Sequence, residues 1–380
     1  MVTIAVTAEA EKEPRVSVSP DTVKKLVASG CKIRIESGAG VRSQFFDDAY
    51  TAQGAEIAAT AADALKGADV LFSVRRPSKE DVEALAPGAV VAAMLDPFGE
   101  RADLEALAAT KAKLFSMEYM PRTTRAQAMD VLSSQANLAG YKAVVDAASE
   151  FGAAVPMMMT PAGTVPAAKA FIMGVGVAGL QAIATARRLG AIVTATDVRP
   201  ATKEQVQSLG AKFVAVEDDE FKDAQTAGGY AKEMSAEYKA KQAELVANHV
   251  KAQDIVITTA LIPGRPAPTL ISADMVRSMK PGAVIVDLAA ERGGNCEMTK
   301  PGETTVTENG VKIVGTLNYA GTVPVNASSL YARNLLSFIS LMIDKDEGKL
   351  AIDWEDDIIQ GTLVAKEGAL VHPNLTNAAA

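Results

Sequence analysis

Short apolar runs alternate with amphipathic segments over most of the chain. The first third predicts strands over residues 2–6, 31–36, 68–74, 88–94 and 113–117, with helices between them. A tract without an internal proline, residues 124–151, is predicted as one long helix that connects two domains. The alternation then resumes, and a helix over 328–344 and a hairpin over 349–371, turning near residues 356–357, complete the chain.

Strands that alternate with helices are typical of a parallel, doubly wound sheet. The order therefore predicts an α/β protein with two Rossmann-like, parallel-sheet domains, separated by a cleft and linked by long helices. We expect the C-terminal tail to return to the first domain. The predicted domains are residues 1–133 plus 322–380, and residues 134–321.

A glycine-rich turn lies between a predicted buried strand, residues 170–173, and an apolar helix. Gly174, Gly176 and Gly179 match G-x-G-x-x-G, which allows a tight turn, a close approach of backbone to a pyrophosphate, and close packing of helix on strand. The next predicted strand ends at Asp197, near the position roughly 20 residues on where an acid binds the ribose of a dinucleotide. The alternative is a tight turn that binds no ligand.

The charge and composition narrow the function classes. The formal charge is −8, with 46 acidic residues against 38 Lys and Arg, so the sequence does not favour nucleic-acid binding or a polybasic membrane surface. We see no signal peptide and no apolar run near the roughly 18 residues of a membrane span. Cys31 and Cys296 stand alone, as do His249 and His372, so neither a disulfide framework nor a metal site is indicated.

The predicted connector begins with a polar cluster. Gln127, Asp130 and Ser133 (or Ser134) recur at spacings of three and four, which places them on one face of a helix. With Arg122, such groups suit an amide, since carboxylate and hydroxyl accept from its NH₂ and arginine donates to its carbonyl. The nicotinamide carboxamide is an amide of this kind. The alternative is a solvated polar face with an intrahelical Arg–Asp pair.

Three further residues are weaker candidates. Tyr230 follows two glycines, which is consistent with a mobile loop over a nucleotide or with a partly buried tyrosine at a helix start. Arg15 and Arg75 are candidates for anion binding, although surface arginines are the commoner case. No Ser/His/Asp or Cys/His set is visible in the sequence. Hydride transfer is chemistry of the cofactor, for which the protein mainly orients two rings and excludes water.

Taken together, these motifs resemble the NAD(H)-binding component, of the soluble alpha-1 type, of the proton-translocating nicotinamide nucleotide transhydrogenases. The resemblance covers nearly the whole chain. Its markers, in chain order, are residues 122–141, 174–180, 227–234, 258–264 and 287–295.

The resemblance implies roles for individual residues. Arg122, Asp130 and Ser133 hold the carboxamide, and Gln127 reaches toward the nicotinamide ribose and the partner's cofactor, so the expected catalytic set is Arg122, Gln127 and Asp130. Asp197 binds the adenosine ribose, and Tyr230 lies on a mobile loop. The remaining expected cofactor contacts are the glycine turn and the strand ends beside it: Gly174, Val175, Gly176, Val177, Ala178, Gly179, Val198, Arg199, Thr259, Ala260 and Leu261.

The implied activity is that of a Re/Si-specific NAD(P)+ transhydrogenase, active with partner subunits. NADH bound to this chain would pass hydride to NADP+ on a separate NADP(H)-binding component, coupled to proton flow through a transmembrane component. The resemblance also implies a homodimer, without a membrane span of its own, that docks peripherally at the cytoplasmic face of the inner membrane.

Two other functions stay open. Alanine dehydrogenase is similar in fold and glycine motif, but that family uses a lysine and a histidine where this chain has Ser73 and Leu95-Asp96. Without the histidine, an amino acid/keto acid pair lacks its general acid and base. The other possibility is an NAD-responsive binding module without catalysis.

Overall fold

The computed structural model describes residues 1–222, 234–344 and 347–376. The chain forms two compact units, one of Met1–Gln135 with Ala320–Ala380 and one of Ala136–Tyr319. It passes into the second unit within helix α6, Val131–Glu150. It leaves that unit at a short 3-10 helix, Tyr319–Thr322.

The N-terminal portion of the first unit alternates strands with helices. The strands are β1 Thr3–Val6, β2 Lys32–Glu36, β3 Glu56–Ala58, β4 Val70–Phe72, β5 Val90–Ala93 and β6 Lys113–Ser116. The helices are α1 Pro20–Ala28, α2 Asp47–Thr51, α3 Ala61–Leu65, α4 Lys79–Glu83 and α5 Arg101–Ala108.

The second unit begins within α6, continues with a small antiparallel hairpin and then alternates strands and helices. The strands are β7 Met158–Thr160, β8 Gly163–Val165, β9 Lys169–Met173, β10 Ile192–Thr196, β11 Lys212–Phe213, β12 Ile255–Thr258, β13 Val284–Asp287, β14 Thr304–Val306 and β15 Lys312–Val314. The helices are α7 Val177–Arg188, α8 Thr202–Ser208, α9 Asp219–Lys222, α10 Ala236–Val250 and α11 Ala273–Ser278.

The C-terminal segment belongs to the first unit. Its elements are α12 Pro324–Ile339, β16 Ile343–Asp344, β17 Lys349–Leu350, α13 Asp357–Thr362, β18 Leu363–Lys366, β19 Ala369–Leu370 and α14 Pro373–Thr376. β18 pairs antiparallel with β6, and β19 pairs with β18, so the tail extends the first sheet at one edge.

Among the described residues, the first sheet has the order β19-β18-β6-β5-β4-β1-β2-β3 and the second β11-β10-β9-β12-β13-β15-β14. The central strands are parallel and apolar on both faces, because helices cover both sides of such sheets. In β1, Ile4 and Val6 enter one buried cluster and Ala5 the other. In β12, Ile257 and Val256 divide between two clusters in the same way. Both units are therefore doubly wound, as the sequence predicts.

Two predicted elements were wrong. The tract 124–151 is not one helix, because a 3-10 helix over Thr124–Met129 stops at Asp130, whose backbone is extended (φ −74°, ψ 95°), before α6 begins. The tail 349–371 is not one hairpin with a turn at 356–357, since Asp356 there caps the start of α13. The observed hairpin pairs β18 with β19.

Candidate nucleotide-binding site

The glycine turn joins β9 to α7 in the second unit, and each glycine has a distinct environment. Gly174 has φ 101°, and a Cβ there would lie 2.5 Å from the Thr259 Oγ1. A Cβ on Gly179 would lie 1.9 Å from the carbonyl oxygen of Gly174. Packing within the fold therefore requires these two glycines. A Cβ on Gly176 would meet no atom within 4 Å, so this glycine leaves open space at the N-terminus of α7.

This open space lies where the sheet order reverses. β9 pairs with β10 on one side and with β12 on the other, and all three strands run parallel. In open α/β sheets, ligands bind beyond the carboxyl ends of the strands at such a switch point. The first turn of α7 adds free backbone N–H groups and the positive end of the helix dipole, which favour a phosphate.

Asp197 follows β10 and is already hydrogen-bonded on both carboxylate oxygens. Oδ2 accepts from Val175 N at 2.7 Å and from Arg199 Nη2 at 2.9 Å. Oδ1 accepts from Arg199 N and Nε, both at 2.9 Å. These four bonds fill the roughly four acceptor positions of a carboxylate. Hydrogen bonding to Asp197 also raises the pKa of Arg199.

The loop after β12 packs directly on the glycine turn. Thr259 N donates to the carbonyl of Met173 at 2.9 Å, and Thr259 Oγ1 donates to the carbonyl of Gly174 at 3.0 Å. Beyond it, Leu261 is 54% exposed, and beyond β10, Val198 is 58% exposed. Exposed apolar side chains at the strand ends of a doubly wound sheet suit the faces of an adenine ring.

These features fit a dinucleotide. The phosphates would lie at Gly176 and the first turn of α7, the ribose hydroxyls at Asp197, and the adenine against Val198 and Leu261. Asp197 would accept from a ribose hydroxyl only after Arg199 gives up at least one of its bonds. The structure brings together the expected contacts of the second unit: Gly174, Val175, Gly176, Val177, Ala178, Gly179, Asp197, Val198, Arg199, Thr259, Ala260 and Leu261.

The polar cluster of the first unit has a different geometry from the one expected. Asp130 does not share a helix face with Gln127, because it caps the N-terminus of α6 after the 3-10 helix. Its Oδ1 accepts from Ser133 N at 2.9 Å, and its Oδ2 accepts from Ser133 Oγ at 2.5 Å. Arg122 and Gln127 are exposed. Asp130 and Ser133 are therefore held as a pair, with two solvent-exposed side chains on the preceding segment.

The intrahelical Arg–Asp pair that was the alternative interpretation is not formed by Arg125. Its guanidinium instead pairs with Asp356 at 2.6 Å and with Asp357, at the start of α13. This contact leaves the carboxylate of Asp130 bonded to Ser133 rather than neutralised by that arginine.

Arg15 is buried rather than on the surface, and it forms an ion pair with a carboxylate of this chain. Arg15 Nε and Nη2 donate to the two oxygens of Glu13, each at 2.7 Å, and Arg75 Nε donates to Glu13 Oε2 at 2.8 Å. Burial alone would raise the pKa of Glu13, but the two arginines outweigh it and lower the pKa to about 2. Arg15 and Arg75 thus share Glu13, and Arg15 Nη1 also donates to Gln135 Oε1 at 2.9 Å, while their expected role in anion binding stays a prediction.

The alanine dehydrogenase alternative depends on the positions of Ser73 and Asp96. Both residues form hydrogen bonds within the first unit. Ser73 Oγ donates to Glu9 Oε1 at 2.8 Å. Asp96 N donates to Glu118 Oε1 at 2.8 Å, and the backbone of Asp96 has φ 48°. Neither side chain supplies a lysine ammonium or an imidazole.

Tyr230 lies outside the described residues, so its expected place on a loop stays a prediction. Within the described ranges no group of three or more His, Cys, Asp or Glu side chains is arranged to hold a metal ion. None of the described helices is both long and apolar enough to cross a membrane.

Sequence reasoning missed the role of Asn295, which it noted only as the last residue of a motif. The Asn295 side chain is fully buried and bonds both the N–H and the carbonyl of Ala260. The available signal was the Gly-Gly-Asn run soon after the buried strand β13. A polar residue after two glycines at a strand end is a candidate for a loop-holding contact.

Two family models cover the chain. The N-terminal domain model of the alanine dehydrogenase/PNT family matches residues 5–139, and its C-terminal domain model matches residues 143–373. The chain therefore belongs to the alanine dehydrogenase/PNT family, whose members share the doubly wound fold described above.

Within that family the chain belongs with the NAD(P) transhydrogenase alpha subunits. It is 55% identical over 369 residues to an NAD(P) transhydrogenase alpha subunit of Rhodospirillum rubrum, covering 96% of each chain. A crystal structure of transhydrogenase from Sinorhizobium meliloti is 54% identical, with a TM-score of 0.88, and the match covers 97% of this chain and 100% of that one. An alanine dehydrogenase of Methanococcus maripaludis is more distant, at 29% identity over 90% of this chain and 87% of its own.

Proposed function

We propose that this chain is the NAD(H)-binding subunit of a proton-translocating NAD(P) transhydrogenase. The observation that carries the proposal is the ordered group at the switch point of the second sheet. There the open space at Gly176, the N-terminus of α7 and the carboxylate of Asp197 suit a pyrophosphate and an adenosine ribose. The similarity to named transhydrogenase alpha subunits over almost the full chain supports it.

In this proposal the first unit supplies the groups that orient the nicotinamide. Arg122, Asp130 and Ser133 hold the carboxamide, and Gln127 lies toward the nicotinamide ribose and the partner's cofactor. Bound NADH supplies the hydride, which NADP+ on a separate component receives. The role of this chain is geometric, because hydride transfer requires the reacting atoms at roughly 3–3.5 Å and water kept out.

The proposal extends to the assembly. The chain would act as a homodimer with an NADP(H)-binding component and a transmembrane component that carries the protons. It would sit peripherally at the cytoplasmic face of the inner membrane. Tyr230 would lie on a mobile segment that closes over the nucleotide.

Mixing this chain with an NADP(H)-binding component and following hydride transfer from NADH to an NADP+ analogue tests the proposal. We expect transfer only when both proteins are present, and NADH binding to this chain alone. Alanine-dependent reduction of NAD+ by the chain alone would instead identify an alanine dehydrogenase. NADH binding without transfer to any partner would leave a nucleotide-responsive binding module.

A further inference from the structure

A buried hydrogen-bond network lies behind the expected nucleotide site, in the second unit. Its centre is Asp287, the last residue of β13, which is fully buried. Oδ1 accepts from Thr258 Oγ1 at 3.1 Å and from Ala289 N at 2.9 Å. Oδ2 accepts from Asn295 N at 2.8 Å, Cys296 N at 3.0 Å and Thr299 Oγ1 at 2.6 Å. One carboxylate thus fixes the loop that follows β13.

Two glycines allow the loop to approach that carboxylate. Gly293 and Gly294 have φ of 97° and 83°, which side chains rarely adopt. A Cβ on Gly294 would also lie 2.8 Å from Asp287 Oδ2. The turn therefore places Asn295 where its own backbone N–H reaches the carboxylate.

The side chain of Asn295 connects this network to the loop after β12 by hydrogen bonds. Its Oδ1 accepts from Ala260 N at 3.0 Å, and its Nδ2 donates to the Ala260 and Pro268 carbonyls at 2.8 Å each. An asparagine that bonds both the N–H and the C=O of one residue holds that residue's backbone in one orientation. Ala260 stands between Thr259, which bonds the Gly174 carbonyl, and the exposed Leu261.

We infer that Asn295, anchored by Asp287, is a positioning residue for nucleotide binding that sets the Thr259–Leu261 loop against the glycine turn. The inference rests on the proposed function, since it assumes that NAD(H) binds at that turn. Asn295 and Asp287 are both fully buried, so they act through the loop and not by touching the nucleotide. A loop that is no longer held in place must be ordered when the nucleotide binds, and that ordering cost weakens the affinity.

The test compares Asn295→Ala with a matched control, Asn309→Ala. Asn309 is also an asparagine of the second unit, and its Nδ2 donates to the carbonyls of Val276, Arg277 and Met279. Asn309 lies just before β15, at the amino ends of the parallel strands, whereas the loops after β12 and β13 follow the carboxyl ends of their strands. Both variants lose backbone hydrogen bonds and stability, but only Asn295→Ala releases Ala260.

NADH affinity is measured by fluorescence titration on folded protein, with thermal unfolding recorded in parallel. We expect Asn295→Ala to raise the Kd for NADH by roughly tenfold, because the released loop must be ordered on binding, and Asn309→Ala to leave the Kd within about twofold. Hydrogen exchange of the Ala260 amide should accelerate in Asn295→Ala alone. If Asn295→Ala does not fold, Asn295→Ser replaces it, because a serine hydroxyl cannot reach both backbone atoms of Ala260.

Folded Asn295→Ala, or Asn295→Ser in its place, with the parent Kd would overturn the inference, as would an equal loss of affinity in Asn309→Ala. Failure of the proposed function is a distinct result. In that case the parent protein itself binds no NADH, or Asp197→Ala binds it as tightly as the parent does. Parent binding that Asp197→Ala weakens and Asn295→Ala does not would reject the positioning role and keep the proposed function.

Discussion

If this chain binds NADH as proposed, the pairing of Arg199 with Asp197 predicts how it would distinguish NADH from NADPH. Arg199 supplies three of the four hydrogen bonds on the Asp197 carboxylate, two of them from its guanidinium. With that guanidinium in place, the carboxylate repels a 2′-phosphate less and has no acceptor position left for a ribose hydroxyl. Arg199→Ala would expose the negative charge and free two acceptor positions, while the backbone bond from residue 199 stays.

The magnitude follows from one unit of charge near the 2′-phosphate. Two charges about 5 Å apart interact by roughly 1–3 kcal/mol when the effective dielectric constant is between about 80 and 20. The Arg199 side chain is 33% exposed, so screening places the effect toward the lower end of that range. We expect the Kd for NADPH to rise about tenfold, and the Kd for NADH to stay within about threefold because a lost contact is offset by freed acceptors.

The assay is paired titration of the purified chain with NADH and NADPH, reported as the ratio of the Kd for NADPH to the Kd for NADH. Lys203→Ala is the matched control, since Lys203 lies on α8 nearby in sequence and pairs with Glu217 instead of Asp197. Asp197→Asn should lower the ratio, because it removes the charge that repels the phosphate. A ratio in Arg199→Ala that stays within twofold of the parent, or that Lys203→Ala reproduces, would refute this account of selectivity.

Two further predictions concern the first unit. Asp130→Asn should lower single-turnover hydride transfer at saturating NADH by roughly ten- to a hundredfold and leave stability nearly unchanged, because asparagine caps helices as well as aspartate does. The control is Asp63→Asn, which changes an aspartate that accepts from the N-cap residue Thr60 of α3. Parent transfer rates in both variants would show that Asp130 acts as a helix cap without a role in transfer. Glu13, with its pKa lowered from 4.5 to about 2, should contribute about 3 kcal/mol of unfolding free energy above pH 4.5 that is lost as the pH falls toward 2. Urea unfolding across that range should show a shallower pH dependence in Glu13→Gln, with a substitution of the exposed Glu303, Glu303→Gln, as the control. Equal slopes in all three proteins would contradict the prediction.

The second unit could be predicted well around the glycine turn because its signals are local. The apolar run before Gly174 is β9, and the apolar segment after Gly179 is part of α7. Each assignment depends on periodicity over a few neighbouring residues and on glycines whose conformation the structure requires. The position of Asp197 could be predicted for the same reason, because the short apolar strand β10 ends directly before it.

The errors fall where a single side chain overrides the pattern. Residues 124–151 lack proline and read as one helix, yet Asp130 accepts from the Ser133 N–H and starts a new helix there. The Asp-x-x-Ser spacing is a capping signal, and it competes with continuation of the helix. Asp356 acts in the same way at α13, where a turn between two strands was expected.

Nonlocal pairing explains what the sequence could not supply. β18 pairs with β6, which lies more than 240 residues earlier in the chain, and neither segment's sequence indicates which strand it pairs with. Similarly, nothing in the sequence indicates that Arg15 is buried. In the fold its side chain donates to Glu13 and to Gln135. The acceptor on Ala260 for Asn295 is a backbone group, which leaves no mark in the sequence.

The candidate groups of the two units would contribute to different steps, nucleotide binding in the second unit and hydride transfer in the first. In the second unit, Asp197, Thr259 and Asn295 are all held by hydrogen bonds to neighbouring strand ends, and Arg199 would have to release Asp197 if a ribose binds there as proposed. A site ordered in advance loses little entropy on binding and contributes mainly to affinity. In the first unit, Gln127 is exposed, and if it contacts a nicotinamide as proposed, the entropy cost of ordering its side chain is recovered only when the ring is correctly placed. Substitutions at the second-unit strand ends should therefore change Kd most, whereas substitutions in the cluster from Arg122 to Ser133 should change the transfer rate most.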